Sequence, residues 1–368
     1  MPDETLDALV AVVPPLVQSL EALGHVSRGV GAIPFDELMT AVGAPDAVLS
    51  AALPSLEAWP EQLAGLRAPL ESAAEIALRA FSDLRAVPDA DDSMTAVYRA
   101  LRGVWRAQEM LYPLAADLPP FSRFFTSPPL RQDAELQARL AAVAPRDDVG
   151  VFHSGDEAGE RGGFSLYVPE TYTPDREWPL VMALHGGSGD GRGFLWSWLR
   201  DARSLGAILV SPTSLGRTWS LNEPAADAAH LEGVLAEVER RWRIDPKRRL
   251  MTGMSDGGTF CYVAGLEPES PFTHLAPCSA SFHPMIAAMA DRGRLTDLPI
   301  HITHGSLDWM FDISVARDAA TSLMAAGADV TFLELPDLAH TYPREINPGV
   351  LAWLDGATSR PRDGPAQH

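Results

Sequence analysis

The spacing of apolar residues divides the chain into two parts. In residues 1–145, Leu, Ala and Val recur every three or four positions between Arg and Glu, which is the spacing of amphipathic helices. The pattern predicts helices over Leu56–Leu84, Met94–Leu114 and Leu130–Val143, with prolines between them that end helices. We therefore expect an all-helical N-terminal region.

From residue 146 to residue 368, short apolar and β-branched runs alternate with helical patterns. The predicted strands are Gly163–Val168, Leu180–Leu184, Ala207–Val210, Leu250–Thr252, Ile300–Thr303 and Val330–Leu333. The predicted helices are Trp196–Ser204, Ala226–Arg241, Thr259–Gly265, Ser314–Ala326 and Val350–Leu354. Strands that alternate with helices build a doubly wound, mostly parallel α/β sheet that is covered on both faces. In such a sheet, functional residues collect at the carboxyl ends of the strands.

A glycine-rich turn lies between the predicted strand Leu250–Thr252 and the next helix. Residues 253–258 read Gly-Met-Ser-Asp-Gly-Gly, a G-x-S-x-G pattern in strand–turn–helix context. A serine nucleophile must stand clear of the sheet on a sharp turn, and the glycines remove side chains that would collide with the neighbouring strand and helix. Ser255 is therefore the candidate nucleophile. Taken alone, the pattern also fits a glycine-rich turn that happens to hold a serine.

A second glycine-rich loop follows the predicted strand Leu180–Leu184. Residues 185–189 read His-Gly-Gly-Ser-Gly. Backbone N–H groups from such a loop, and from the residue after a nucleophile, stabilise the anionic intermediate of acyl transfer. We assign this oxyanion hole to the N–H groups of Gly187 and Asp256, and we interpret His185 as structural. A phosphate-binding loop would need a Lys and a Ser or Thr that this segment lacks.

Two further residues at strand ends complete a candidate catalytic triad. Asp308 follows the predicted strand Ile300–Thr303, where a carboxylate can fix the tautomer of a histidine. Asp312 is the alternative carboxylate, further into the following turn. His340 lies on the loop after the last strand, so the chain order is Ser, Asp, His, as expected for this fold.

Several large side chains beside the strand-end loops are candidates for substrate contact. We predict substrate contacts from Trp219, Met254, His283 and Trp309. Trp196, Trp198 and Met310 are further candidates, although a tryptophan is more often packed in a core than against a substrate. These residues suggest an apolar acyl or aromatic group in the substrate.

The net charge of −20 disfavours nucleic acid as a partner, because a strongly acidic chain is repelled by phosphate. The apolar run Ala8–Val13 is followed by Pro14 and Pro15 and is too short to span a bilayer. The N-terminus also lacks the cationic start of a secretory signal. We therefore expect a cytoplasmic protein with no membrane span.

The cysteines and histidines do not predict a metal or another cofactor. Cys261 and Cys278 are the two cysteines of the chain, and their separation fits no metal-ligand spacing. They are interpreted as small buried hydrophobic residues or as one incidental pair. No His-x-x-x-His pattern or carboxylate cluster of a metalloenzyme is present.

The motifs resemble those of α/β-hydrolase serine esterases. The resemblance lies in residues 163–169, 178–186, 244–249 and 253–258, and it is strongest to phospholipase/carboxylesterase, feruloyl-esterase-like and polyhydroxyalkanoate-depolymerase-like proteins. It implies hydrolysis of a small-molecule carboxylic ester through an acyl-enzyme intermediate. The same triad cleaves thioesters and peptides, so these activities are alternatives, as is a non-catalytic binding protein with this fold.

The residues of the helical N-terminal region carry no motif that assigns it to a family. Its helices could cap the active site as a lid, or they could form a surface for a partner or for a homo-oligomer.

Overall fold

The computed structural model describes residues 3–155 and 160–356. Within these ranges eight strands form one sheet: β1 Gly150–Ser154, β2 Phe164–Val168, β3 Trp178–Leu184, β4 Ile208–Pro212, β5 Ile244–Met254, β6 His274–Cys278, β7 Pro299–Gly305 and β8 Asp329–Leu335. Their spatial order is β1-β2-β4-β3-β5-β6-β7-β8. Strands β3 to β8 run parallel, and β2 is antiparallel to both of its neighbours. The predicted mostly parallel α/β sheet is confirmed.

The strand order reverses at β3, because β4 lies on one side of it and β5 on the other. A crevice opens at the carboxyl ends of the strands where such a reversal occurs. Leu184 pairs with Gly253 at this point, so the loops that follow β3 and β5 lie side by side.

Two strands were absent from the sequence prediction. β1 is a short edge strand whose residues are all partly or fully exposed, so its apolar pattern is weak. β6 reads His-Leu-Ala-Pro-Cys, and a proline within a run argues against a strand. In addition, β5 begins six residues earlier than expected, since its first half carries a proline and four charged residues between positions 245 and 249.

Eight α-helices precede β1 in the part of the chain that the structure describes, which confirms the predicted helical region. They are α1 Asp3–Gly29, α2 Phe35–Val42, α3 Pro45–Ala52, α4 Ala64–Arg85, α5 Ser93–Leu101, α6 Val104–Leu111, α7 Pro119–Phe124 and α8 Ala134–Ala141. The predicted helix Met94–Leu114 is divided at Gly103, because glycine is a poor helix former. The predicted helix Leu56–Leu84 begins only at Ala64, after two short 3-10 turns.

Helix α1 continues through Pro14 and Pro15, where the sequence predicted that the apolar run ends. Each proline removes one helical hydrogen bond, and the carbonyl freed by Pro14 belongs to Val10 on the exposed side of the helix. Buried residues such as Leu16 hold the helix in the core despite this loss. By length and composition alone, α1 could cross a membrane, but half of its most apolar window is buried inside the protein.

The remaining helices lie between and after the strands. They are α9 Gly191–Leu195, α10 Leu199–Leu205, α11 Ala225–Arg241, α12 Asp256–Gly265, α13 Pro284–Met289, α14 Arg292–Leu295, α15 Ile313–Ala325 and α16 Asn347–Leu354. Side chains alternate between the faces of a strand. In β3, Val181 and Ala183 therefore pack in a core shared with the N-terminal helices, whereas Leu180 and Met182 pack in a second core with α11 and α15. The division of the chain at residue 145 stays a prediction.

An ion pair between the buried Arg203 and the partly buried Glu170 connects the N-terminal helices to the sheet. Nε of Arg203 lies 2.9 Å from the carboxylate of Glu170, which also accepts hydrogen bonds from the hydroxyl groups of Tyr112 and Tyr167, at 2.7 Å each. Arg203 also donates to the carbonyl of Ser122 on α7. Burial acts to raise the pKa of Glu170, but Arg203 and the two hydroxyl groups hold that pKa below its ordinary value.

We predict that Arg203→Met lowers the free energy of unfolding at pH 7 by about 3–5 kcal/mol, because it leaves the Glu170 carboxylate buried without a counter-ion. Urea unfolding of the variant and the parent protein measures this difference. The ionised carboxylate stabilises the parent above the unfolded pKa of Glu170, and this contribution is lost as the pH falls through the lower folded pKa. The difference should therefore shrink below about pH 4.

Arg139→Met on the exposed side of α8 is the matched control and should change stability by no more than about 0.5 kcal/mol. An equal loss in both variants, or a difference that does not depend on pH, would contradict this account of the ion pair.

Candidate active site

Ser255 lies on the sharp turn between β5 and α12. Its backbone angles are φ 55° and ψ −119°, which an L-residue adopts only when its surroundings impose them. Its N–H donates to the carbonyl of Cys278 on β6 at 3.0 Å, and its carbonyl accepts from the N–H of Thr259 at 2.8 Å. The turn is thus fixed by the neighbouring strand and by the first turn of α12.

The glycines on either side of Ser255 allow this close packing. A Cβ atom on Gly253 would lie 2.5 Å from the backbone of Gly257, and one on Gly257 would lie 2.4 Å from the carbonyl oxygen of Leu184. Real Cβ atoms do not approach backbone so closely. The pattern Gly-x-Ser-x-Gly is therefore a steric requirement of this turn.

Ser255, His340 and Asp308 form one hydrogen-bonded chain. Nε2 of His340 lies 3.0 Å from Oγ of Ser255, and Nδ1 lies 2.8 Å from Oδ2 of Asp308. All three residues are buried. The loops after β5, β7 and β8 bring them together at the carboxyl edge of the sheet. This geometry suits the transfer of a proton from the hydroxyl group to the imidazole.

The carboxylate of Asp308 is fixed by its own loop. Its Oδ1 accepts from the backbone N–H groups of Met310 and Phe311, at 2.9 Å each. Burial acts to raise the pKa of Asp308, but the bond to His340 and these N–H groups keep the pKa below its ordinary value. The alternative carboxylate, Asp312, instead accepts from the N–H of Ser314 and caps α15.

The loop after β3 lies against the turn that holds Ser255. A Cβ atom on Gly187 would lie 2.8 Å from Oδ2 of Asp256, so the two residues assigned to the oxyanion hole are neighbours. The side chain of Asp256 is held by the hydroxyl group of Thr218, which donates to Oδ2 at 2.6 Å.

His185 stabilises this loop through hydrogen bonds. Its Nδ1 donates to the carbonyl of Gly186 at 2.7 Å, and its Nε2 accepts from the N–H of Ser214 at 3.1 Å. Burial lowers the pKa of His185 to about 4, so the imidazole is neutral at pH 7. These contacts agree with the structural interpretation of His185.

The residues that were predicted to contact the substrate differ in their exposure and in their distance from the triad. Trp309 is half exposed, with its ring centroid 5.9 Å from that of His340. Met254 is partly buried next to Gly186. His283 is exposed on the loop after β6, where its Nδ1 accepts from the N–H of Met285 and caps α13.

The sequence predicted that Trp219 contacts the substrate, but its side chain is packed in the interior. It is 1% exposed, its Nε1–H donates to the carbonyl of His185, and its ring stacks on Phe260. Trp219 therefore packs against the loop that follows β3 and supports it. Trp196 and Trp198 are equally buried in the core that the sheet shares with the N-terminal helices.

Residues from the N-terminal helices contact the His340 loop, which the sequence did not reveal. The hydroxyl group of Tyr98 on α5 donates to the carbonyl of His340 at 3.1 Å. The hydroxyl group of Thr341 donates to the carbonyl of Ser27 on α1 at 3.0 Å. Phe311, with its ring 5.5 Å from that of His340, was also missed, although it lies only three residues after Asp308.

Neither cysteine is paired, and both thiols are buried. Within residues 3–155 and 160–356, no group of three or more His, Cys, Asp or Glu side chains could hold a metal ion.

The sheet order, the parallel strands after β2 and the strained serine turn after β5 together define an α/β-hydrolase fold. A profile of the phospholipase/carboxylesterase family matches residues 226–347, a range that contains Ser255, Asp308 and His340. The sequence match and the fold agree.

Curated relatives include feruloyl esterase C from Emericella nidulans, which is 30% identical over 117 residues that make up 30% of this chain and 43% of the relative. A bifunctional acetylxylan esterase/xylanase from Neocallimastix patriciarum is 28% identical over 41% of this chain and 22% of its own length. The chain thus spans less than half the length of these two relatives. The matches confirm the resemblance to α/β-hydrolase esterases.

Similar solved structures include a ferulic acid esterase, with 14% identity, a TM-score of 0.48 and coverage of 56% of this chain and 97% of that chain. A thermostable esterase has 20% identity, a TM-score of 0.45 and coverage of 57% and 63%.

Proposed function

We propose that this protein is a serine hydrolase that cleaves a carboxylic ester through an acyl-enzyme intermediate. The observation that supports this most strongly is the hydrogen-bonded chain from Ser255 through His340 to Asp308. Relatives whose names describe esterases support the choice of an ester as substrate.

In the first half of the reaction, Oγ of Ser255 attacks the carbonyl carbon while Nε2 of His340 takes the hydroxyl proton. Asp308 stabilises the imidazolium that forms and keeps Nδ1 directed towards itself. The C–O bond then breaks, and His340 returns the proton to the departing alcohol. In the second half, water attacks the acyl carbon while His340 takes a proton from it. The bond between the acyl carbon and Oγ of Ser255 then breaks, His340 returns the proton to Oγ, and the carboxylic acid departs.

The tetrahedral intermediates carry a negative charge on the former carbonyl oxygen. We assign its stabilisation to the backbone N–H groups of Gly187 and Asp256. Asp256 is the first residue of α12, and N–H groups at the start of a helix are free to bind an anion. Removal of one such donor typically costs about 3–4 kcal/mol of transition-state stabilisation.

Apolar side chains beside the triad support a substrate with an apolar group. Leu307, Trp309 and Met310 follow or flank Asp308, and each is about half exposed. Exposed apolar residues that lie together at a site commonly mark a binding surface. Together with Met254 and His283, they are our candidates for contact with the acyl or alcohol group.

We predict that Ser255→Ala lowers kcat for p-nitrophenyl acetate by about 10⁶ and that Asp308→Asn lowers it by about 10⁴, because the second change favours the wrong tautomer of His340. Steady-state hydrolysis, followed by p-nitrophenolate release, measures both effects. A fluorophosphonate probe should label the parent protein at Ser255 and leave the Ser255→Ala variant unlabelled.

Asp312→Asn is the matched control for Asp308→Asn. Asparagine caps a helix as well as aspartate does, so this variant should keep kcat within about twofold of the parent value. Wild-type turnover by Ser255→Ala would refute the proposed nucleophile. A parent protein that neither reacts with the probe nor hydrolyses esters would instead indicate a binding protein.

We also propose that the N-terminal helices position His340. Tyr98 on α5 donates to the backbone carbonyl of His340, and the backbone carbonyl of Ser27 on α1 accepts from the side-chain hydroxyl group of Thr341. In addition, a Cβ atom on Gly31 would lie 3.1 Å from Cβ of Ala339, so the turn after α1 packs directly against this loop. Association of copies through these helices stays a prediction.

We predict that Tyr98→Phe and Thr341→Val each lower kcat by about 2- to 10-fold, the range expected when one neutral hydrogen bond no longer holds the loop. KM should change less than kcat, because neither hydroxyl group is assigned to the substrate. Thr40→Val is the control, since it removes a comparable bond from hydroxyl to carbonyl within α2. If all three variants lowered kcat equally, a positioning role would be excluded.

We place the protein in the cytoplasm. The support is that α1 has its apolar side in the core and that Glu21 on this helix bonds to Arg131 and Arg200. These contacts need α1 to remain part of the folded protein. Mass spectrometry of the protein purified from producing cells should find α1 intact in the soluble fraction. Removal of residues 1–29, or recovery in the membrane fraction, would contradict this location.

A further inference from the structure

A cavity of about 510 Å³ lies between the N-terminal helices and the α/β domain. On one side it is lined by apolar residues of α1 and α6, including Leu20, Leu23 and Val104. Arg200 and Arg344 also line it. Among the described residues that line it, neither Ser255 nor His340 is present, so the cavity is separate from the candidate active site.

Arg344 is a cation without a partner on the wall of this cavity. Its side chain is partly exposed, yet it makes no hydrogen bond and no ion pair with any residue in the ranges 3–155 and 160–356. Burial lowers the pKa of Arg344, against the opposing effects of Glu21 and Asp201. A guanidinium group has five N–H donors and no acceptor, so Arg344 can donate to an anion that enters the cavity.

None of the acidic residues around the cavity forms an ion pair with Arg344 within the described ranges, although the charges of Glu21 and Asp201 act on it from a distance. Glu21 binds Arg131 and Arg200, Glu345 binds Arg28, and Asp201 accepts a hydrogen bond from Asn347. Nε of Arg200 and Nε1 of Trp196, both on the wall, are buried N–H donors without an acceptor among the described residues. Oε1 of Gln108, also on the wall, is a buried acceptor without a donor among the described residues. The described part of the wall therefore has two buried unpaired donors against one unpaired acceptor, in addition to the guanidinium group of Arg344.

We propose that this cavity binds an amphipathic monocarboxylate, with its carboxylate on Arg344 and its hydrocarbon part against Leu20, Leu23 and Val104. A carboxylate has the planar geometry that matches a guanidinium group, and the apolar wall accommodates a chain or a ring. A neutral ligand would leave Arg344 unpaired. The proposal goes beyond the ester hydrolysis proposed above and does not depend on it.

The cavity is connected to the His340 loop through the chain. Tyr342 lines the cavity and lies two residues after His340. Its hydroxyl group donates to Oδ1 of Asn347 at 2.8 Å, and Nδ2 of Asn347 donates to Asp201, which also lines the cavity. A carboxylate in the cavity would therefore contact the segment that follows the candidate base.

The test is calorimetric titration of the full chain with sodium octanoate, before and after Ser255 has been blocked with a fluorophosphonate. We expect saturable binding that survives the block. Arg344→Met should weaken binding by about 10- to 100-fold, as expected for the loss of charge-assisted hydrogen bonds. Arg344→Lys should bind more tightly than Arg344→Met, because it keeps the charge.

Arg139→Met, on an exposed cation outside the cavity, is the matched control and should bind octanoate as the parent does. Gly24→Leu is a second variant that does not remove a charge. Gly24 lines the cavity, and a Cβ atom there would meet no atom within 4 Å, so the leucine should occupy free space and weaken binding. Thermal unfolding checks that each variant is folded.

Three results would overturn the proposal. Octanoate binding that disappears when Ser255 is blocked would place the carboxylate at the triad. Equal binding by Arg344→Met and Arg139→Met would remove the role of Arg344. Binding of 1-octanol as tight as that of octanoate would show a plain apolar cavity. A protein that fails to react with the fluorophosphonate contradicts the proposed hydrolase, whereas octanoate binding by the untreated protein tests the cavity independently.

Discussion

The hydrogen bond between His340 and Ser255 is the contact on which the rest of the candidate site depends. Its two partners lie 85 residues apart in the chain, and separate parts of the fold position them. The serine is fixed by the crowded turn between β5 and α12, and the histidine by a loop that α1 and α5 contact. Proton transfer needs a separation of about 3 Å, so both supports must be in place together.

The parts of the site that the sequence predicted are those that depend on local geometry. A serine between two glycines requires a sharp turn wherever it follows a strand, and parallel strands bring their carboxyl ends to one edge. Ser255, Asp308 and His340 could therefore be expected to meet once the strands were located. The prediction needed strand positions only to within a few residues, so the missed β1 and β6 did not affect it.

The contacts that the sequence did not predict join distant segments without a motif. Tyr98 binds the carbonyl of a residue 242 positions later in the chain, and any exposed helical tyrosine has the same local pattern. Trp219 shows a related difficulty, because a position beside a strand-end loop does not tell on which side the ring packs. Periodicity identifies the face of a helix or strand that becomes buried, but the partner is decided by tertiary packing.

Two arginines lie near the junction of the helical region and the sheet. They show that the effect of burial on a charged side chain depends on whether the side chain has an acceptor. Arg203 has the carboxylate of Glu170 and the carbonyl of Ser122 as acceptors, so its burial is explained by the fold alone. Arg344 has no acceptor within the described ranges, and a partly buried cation of this kind lowers stability. Arg344 therefore has donors free for an anion in the cavity, and the carboxylate that we propose there would supply the acceptor that the fold supplies for Arg203.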